Sequence, residues 1–441
     1  MSPVVIGTFT VVGFLILMFL SVPVPFAMAF SGTIGLIFIR GPVVAADLLS
    51  NELFNLFINY SFTVGPMFGL MGFLASYSGV GANLYNAVNS FIGHQRGGLA
   101  IATQVAGAGF GAICGSPPAA TATFSAIAYP EMNKYNYNRA VSALCIASAS
   151  GLSVLIPPSN NLIVYGLLTE NSIGQLFMGG AIPGILVMSI NIVLIKWYAW
   201  RHPDYLPTSP KYSWKERWEA VKRGGLLEVI FVFILSMGGM LAGYFTPTEA
   251  GAVGAFGMLI CTLVTRQLDW KKFTSSLLAG ARLQAMIYTL LACANVLGKL
   301  FVVAKIPQTI GAWVQGLALP GTLIMGIIII IYFFLGMIVD VMPMVIITMP
   351  VFYPIVVDIL GYNPLWFGVM LVLLGNLGAL TPPMAGGIFL AKGCIDDQDL
   401  TLTDMFRNVT PFVVAAFAGV LIVWAFPQVV TWLPGLIYGS F

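Results

Sequence analysis

The chain has 441 residues, of which 59% are apolar and only 8% charged, with a formal net charge of +3. Soluble domains carry about 25% charged residues, so this composition excludes a water-soluble globular domain and defines a polytopic membrane protein embedded in the lipid bilayer. The small positive excess sits in a few clusters, which speaks for membrane orientation and against nucleic-acid binding.

Val4–Val22 and Pro25–Ile39 read as two membrane helices joined by a Pro-containing turn, the second ending at Arg40-Gly41-Pro42. Met1 to Val22 lacks a basic n-region and a cleavage site, so a first membrane helix is expected rather than a removed signal peptide. A short polar stretch with Asp47, Asn51 and Glu52 precedes a third apolar run from Leu53 to about Ala75. An amphipathic segment follows, closed by His94-Gln95-Arg96, where the lone histidine reads as a loop or interface residue. Leu99–Tyr129 is too long and too interrupted for one span of about 20 residues. A helix that enters, turns at Gly115–Pro118 and returns would use that length. Ala140–Leu168 is broken again at Pro157-Pro158, and a further span covers roughly Ile173–Trp197.

His202–Arg223 is hydrophilic and basic, with Trp214 and Trp218 one turn apart, as in a helix lying on the cytoplasmic membrane surface. Two spans then flank FTPTEA (Phe245–Ala250), where Thr246, Pro247 and Glu249 predict a capping box. Glu249 is thereby a helix start rather than a proton carrier. After the basic residues Arg266, Lys271, Lys272 and Arg282 come a span near Met286–Val303, an IPQ turn at Ile306–Gln308 and a long apolar region from Thr322 to Val357. Pro364–Ala379 leads into a second broken helix through Thr381-Pro382-Pro383. An acidic loop (Asp396, Asp397, Asp399, Asp404) precedes a last span near Pro411–Trp424, and its spacing fits no EF-hand. The five cysteines, scattered without a CxxC, read as buried hydrophobes.

The two Pro-Pro pairs are separated by 382 − 157 = 225 residues. The same offset superposes Gly111 on Gly336, Pro118 on Pro343, Thr123 on Thr348, Tyr137-Asn138 on Tyr362-Asn363 and Leu155 on Leu380. Helix-breaking residues coincide, and these are the places where the backbone changes course. Two copies with broken helices are the sequence sign of a secondary transporter, with ion and substrate sites where the breaks meet. Unwound carbonyls can hold a cation such as sodium, and half-helix N-termini favour an anion. Inversion of the copies is the preferred reading, although a re-entrant hairpin and a full span look alike in hydropathy. Asp340, an ionisable group inside an apolar region, is the foremost candidate for a functional charge. Its competing role is a helix end near the interface. Ser148, Ser150, Ser153, Asn376 and Thr381 can supply oxygen ligands around the breaks.

GSPPAA (Gly115–Ala120), LIPPS (Leu155–Ser159), FTPTEA and LTPPM (Leu380–Met384), in this order, resemble the large membrane subunit of the tripartite ATP-independent periplasmic (TRAP) transporters, DctM-like. The IPQ turn and the spacing of Gly336 to Asp340 fit as well, and the resemblance covers essentially the whole chain. It implies an all-α membrane fold of the elevator ion-transporter type, with two hairpins and two broken helices in a moving unit. It implies sodium ions as coupling ions and no other metal or cofactor. It implies a small four-helix membrane subunit and a soluble periplasmic binding protein as partners, and an organic-anion substrate such as a dicarboxylate or sialic acid. The sodium-site candidates are then Gly115, Ser116, Ser150 and Gly151 in the first copy and Asp340, Asn376, Gly378 and Thr381 in the second. Pro117, Pro118, Pro157, Pro158, Ser159, Pro382 and Pro383 are the helix-break and substrate-site candidates. Pro117-Pro118 depart from the small or polar residues usual at the first hairpin tip.

The expected organisation is N-terminal scaffold helices over 1–52 and a first repeat over 53–199, with a hairpin at 99–129 and a broken helix at 140–168. A cytoplasmic amphipathic linker over 200–224 leads to a scaffold helix pair over 225–282. The second repeat spans 283–425, with a hairpin at 322–357 and a broken helix at 364–391, before a C-terminal tail over 426–441. The chain carries no Walker A, HExxH or GxSxG pattern, so it is not expected to be an enzyme. The expectation is a multi-pass subunit of a bacterial inner-membrane transporter. The alternatives are a self-sufficient sodium/carboxylate symporter, an ion channel, or an intramembrane enzyme that would need a second catalytic group beside Asp340.

Overall fold

A computed structural model describes residues 2–222, 226–317 and 319–439. Arg223 and Gly224 of the expected linker and Ser440 and Phe441 of the expected tail lie outside the described residues, which contain helices and no strand. Five of the helices are long and apolar enough to cross a membrane, or up to 8 if each bent pair is one span.

The N-terminal part contains α1 (Pro3–Phe19), α2 (Val24–Arg40), α3 (Pro42–Ile58), α4 (Val64–Tyr77) and the amphipathic α5 (Val80–Ile92). The polar stretch at Asp47–Glu52 belongs to α3 and is not a connection. Pro42 opens that helix, and Lys299 Nζ meets Glu52 Oε1 at 2.7 Å, giving the carboxylate a partner among apolar helices. The chain bends by 53° between α3 and the segment ending in α4.

Next come α6 (Gly98–Cys114), α7 (Pro117–Lys134), α8 (Arg139–Gly151), α9 (Asn160–Thr169) and α10 (Ile173–Arg201). Of the basic segment, Trp214–Lys222 is helical (α11). α12 (Leu226–Phe233) runs through a π turn into α13 (Gly239–Leu241). α14 (Pro247–Val264) begins with the expected capping box between Thr246 and Glu249.

α15 (Trp270–Val303) is nearly twice as long as the expected span. Asp269 caps it, so Lys271, Lys272 and Arg282 stand on a helix and not in a loop. The IPQ residues open α16 (Ile306–Gly316) instead of forming only a turn, because Pro307 stands in the first turn, where its missing N–H costs nothing.

The last third holds α17 (Gly321–Ile338), α18 (Val341–Tyr353), α19 (Pro364–Leu380), α20 (Gly386–Cys394), α21 (Leu402–Asn408), α22 (Thr410–Ala425) and α23 (Gln428–Tyr438). Beyond Trp424 the chain thus holds a helix at Gln428–Tyr438, and Val430 of α23 packs on Gly179 of α10.

Two hydrophobic clusters form the interior. The larger is built on α6–α10 and α17–α22, together with α4 and α14. The smaller joins α1–α3 to α15 and reaches the elements of the larger through Val164 and Ile346. α8 and α19 are central: Arg139 is the one residue of α8 that is not buried, and Pro364 and Ala379 are the only two in α19. A helix apolar on all sides belongs inside a bundle.

Candidate functional site

Each hairpin turns in two residues and packs against the broken helix that follows it. In the first, Gly115 and Ser116 separate α6 from α7. Gly115 adopts φ +56°, a left-handed conformation that glycine takes without steric cost, and a Cβ there would lie 2.4 Å from the Pro158 carbonyl oxygen. Asn160 Nδ2 donates to Gly115 O at 3.1 Å, so the hairpin tip is tied to the N-terminus of α9. Pro117 and Pro118 do not interrupt a helix. They occupy the first turn of α7, where proline fits.

After α8 the backbone continues through a short 3-10 turn, Leu152–Val154, and the Pro157-Pro158 bond is cis. Ser159 then caps α9, its hydroxyl accepting from Leu162 N at 3.4 Å and donating to Val154 O. Ser153 Oγ donates to Ser150 O at 2.6 Å, whereas the buried Ser150 Oγ has no hydrogen-bond partner among the described residues.

In the second hairpin, Val339 and Asp340 separate α17 from α18. Asp340 is the N-cap of α18: its carboxylate accepts from Val341 N at 2.9 Å, and the residue is exposed. α17 lies so close to α19 that a Cβ on Gly378 would be 2.2 Å from the Gly336 carbonyl carbon. The Pro382-Pro383 bond is also cis, and Thr381 Oγ1 donates back to Leu377 O at 2.7 Å.

The two broken helices meet. A Cβ on Gly151 would stand 2.1 Å from Asn376 Oδ1, so the end of α8 and the last turn of α19 face each other through an amide oxygen. Gly151, Ser150 and Asn376 are therefore brought together, and Gly115 joins them through Pro158 and α9. Asp340 and Ser116 sit at the hairpin tips, and among the described residues no hydrogen bond joins them to the Gly151–Asn376 contact.

Charge scarcity as a guide overlooked two buried amides, Gln104 and Gln284. Gln104 on α6, fully buried, donates to Cys145 O (2.9 Å) and Ser148 Oγ (2.8 Å) and accepts from Asn191 Nδ2 (3.1 Å), fixing α6, α8 and α10. Gln284 on α15 is buried, and its Nε2 has no hydrogen-bond partner among the described residues. It lines a small, partly open cleft of about 10 Å³ with Phe62, Gly65, Asn160, Tyr288 and others, between α15 and α9. Polar amides in apolar runs were the available signal.

Among the acidic-loop residues, Asp397 accepts from Tyr129 Oη (2.8 Å) and lies 3.5 Å from Arg139 Nε, while Asp399 pairs with Arg139. Asp404 is bonded to Thr401 in the cap of α21.

Broken helices packed behind two hairpins and joined at their breaks define the architecture of a membrane transporter. The same fold is found in the crystal structure of the Alcanivorax borkumensis YdaH transporter, with a TM-score of 0.62 and 11% identity, covering 89% of this chain and 90% of that one. Residues 11–429 match the family described as "Tripartite ATP-independent periplasmic transporter, DctM component", and the chain belongs to that family.

Similar proteins include the C4-dicarboxylate TRAP transporter large permease protein DctM of Pseudomonas aeruginosa, 32% identical over 387 residues (88% of this chain, 89% of the relative). The 2,3-diketo-L-gulonate TRAP transporter large permease protein YiaN of Escherichia coli is 29% identical over 381 residues (86% and 88%). The isethionate TRAP transporter permease protein DctMQ of Oleidesulfovibrio alaskensis is 28% identical over 441 residues (98% and 66%). These relatives are permeases and not enzymes. Membership makes the chain a multi-pass inner-membrane subunit of a tripartite system, which also comprises a small membrane subunit and a periplasmic binding protein.

Proposed function

We propose that this chain is the membrane subunit of a sodium-coupled transporter that takes up an organic acid delivered by a periplasmic binding protein. The observation that carries the reading is the apposition of Gly151 and Asn376 beside the unpartnered Ser150 hydroxyl, where two interrupted helices meet inside an apolar bundle. Interrupted backbone survives in a membrane only where protein or a polar cavity satisfies it, and its free carbonyls suit a small cation. Sodium is the expected coupling ion, held by the Gly115–Ser116 and Ser150–Gly151 segments on one side and the Asp340, Asn376, Gly378 and Thr381 segments on the other. No cofactor is invoked.

The acids named for the relatives (a C4-dicarboxylate, 2,3-diketo-L-gulonate and isethionate) share an anionic group, which favours an anion near half-helix N-termini such as that of α9.

Two copies related by the 225-residue offset underlie this site. Gly111 abuts Ser153 as Gly336 abuts Gly378, and Gly151 touches its own offset mate, Asn376. Contact between offset mates is what a pseudo-two-fold axis through the site produces. The hairpins and broken helices would move as one unit against a scaffold containing α1–α3 and α15, an elevator motion favoured by the separate cluster that those helices form. The small partner subunit, of four helices, would brace that scaffold.

Uptake into proteoliposomes containing both membrane subunits tests the reading. Accumulation of a labelled C4-dicarboxylate should need both an inward sodium gradient and the binding protein. Undiminished uptake without sodium sinks the coupling, and uptake without binding protein sinks the tripartite mechanism.

A further inference from the structure

Arg217 is the one buried residue of α11: it is 8% exposed, and its Nε has no hydrogen-bond partner among the described residues. No carboxylate lies within ion-pair distance of it among the described residues. Its guanidinium carbon stands 5.1 Å from the Trp214 ring centre and 5.6 Å from that of Phe91 on α5, while those two rings meet edge to face. Glu216, the adjacent acid, is engaged elsewhere, accepting from Ser213 N at 2.6 Å. A guanidinium stays charged at any physiological pH, and aromatic faces compensate only part of its desolvation. Among the described residues the pocket is thus a cation site without its anion.

The surroundings say which anion. Trp214 and Trp218 leave most of their surface uncovered, and Lys222 Nζ lies 5.7 Å over the Trp218 ring. Uncovered indoles beside basic groups on an amphipathic helix belong at the headgroup level of a bilayer. The anion present there is the phosphate diester of a lipid, whose acyl chains also cover the indoles. A free phosphate would leave them exposed.

We propose that Arg217, Trp214, Trp218 and Lys222 form a binding site for the phosphate of a bilayer phospholipid, anchoring α11 to the membrane surface. The site is independent of what the protein transports.

The test uses the purified full-length protein after delipidation, with lipid retention followed by native mass spectrometry and stability by thermal unfolding. Dioleoyl phosphatidylglycerol should bind and raise the unfolding midpoint. Dioleoylglycerol, with the same chains and no phosphate, and inorganic phosphate should each leave it unchanged. R217Q should retain the lipid about tenfold more weakly, the scale of one lost charge-assisted contact, and R217K, which keeps the charge but loses the fork, should fall between. Equal retention in R217Q, or an equal shift from dioleoylglycerol or from inorganic phosphate, would overturn the proposal. Should R217Q fail to fold, W218A removes an exposed indole instead: weakened retention supports the site, and unchanged retention overturns it.

Discussion

Asn376 holds its side-chain oxygen over the Cα of Gly151, leaving no room for even a methyl group between α8 and α19. Gly151→Ala must therefore push the amide aside or part the helices, and overpacking of this kind costs about 1–3 kcal/mol. Thermal unfolding should show that loss, with sodium-driven uptake falling further than stability. Adding Asn376→Ala removes the clash, so the double variant should be more stable than the sum of the two single changes requires, while uptake stays low. Strict additivity would mean that the two residues do not bear on each other.

Ser150 offers the opposite case. Its hydroxyl is buried and makes no hydrogen bond among the described residues, so as it stands it is a desolvation cost and not a source of stability. Ser150→Ala is therefore expected to leave the unfolding midpoint at or above that of wild type. If the hydroxyl is a sodium ligand, the sodium concentration for half-maximal uptake should rise in that variant. A sodium response identical to wild type would remove Ser150 from the site.

Much of this arrangement was legible before any coordinates. The hairpins, both broken helices and the capping box at Thr246 announce themselves through Pro, Gly and N-cap residues, because those residues act on the backbone within a turn of where they stand. The length of α15 was not legible. Its first half carries Lys271, Lys272 and Arg282, and hydropathy cannot distinguish a charged loop from a helix whose charged side faces outward. Nor was the meeting of Gly151 with Asn376, since a close approach between distant helices leaves only a glycine and an amide, each unremarkable alone.

The Gln104 network gives a purely structural prediction. Gln104→Leu keeps the volume but strips Asn191 Nδ2 of its partner inside the bundle and leaves Ser148 only its bond to Cys145 O. Each buried polar group left unsatisfied costs about 1–3 kcal/mol. A fall in unfolding midpoint is expected, and replacing Asn191 by Leu as well should recover part of it. A Gln104→Leu variant as stable as wild type would show that water replaces the lost bonds.

In the acidic loop, Asp397 provides a pH signature. Burial by itself pushes its carboxyl up. The hydrogen bonds from Tyr129, Asp399 N and Asn133, with the charge of Arg139, outweigh this and hold it below the usual carboxylate range. A carboxyl depressed in the folded state stabilises fully above its unfolded value, and that contribution disappears as pH falls through the folded value. Wild type should therefore hold its stability from pH ~7 to ~5 and lose part of it below pH ~4. In Asp397→Asn that acid-limb loss should shrink. An unchanged acid limb would leave the loop without a stabilising role.

Asp340 can be tested so that its charge and its capping are read separately. Its carboxylate caps α18, and asparagine caps a helix about as well as aspartate, whereas alanine does not. Asp340→Asn should consequently keep the unfolding midpoint, and Asp340→Ala should lose about 1 kcal/mol. A structural cap predicts that uptake follows stability: near wild type in the Asn variant and reduced in the Ala variant. A functional charge predicts that both variants lose sodium dependence alike, because an amide cannot supply the negative charge at the hairpin tip. Sodium titration of uptake in the two variants separates these outcomes, and a wild-type response in Asp340→Asn would assign the residue to the cap alone.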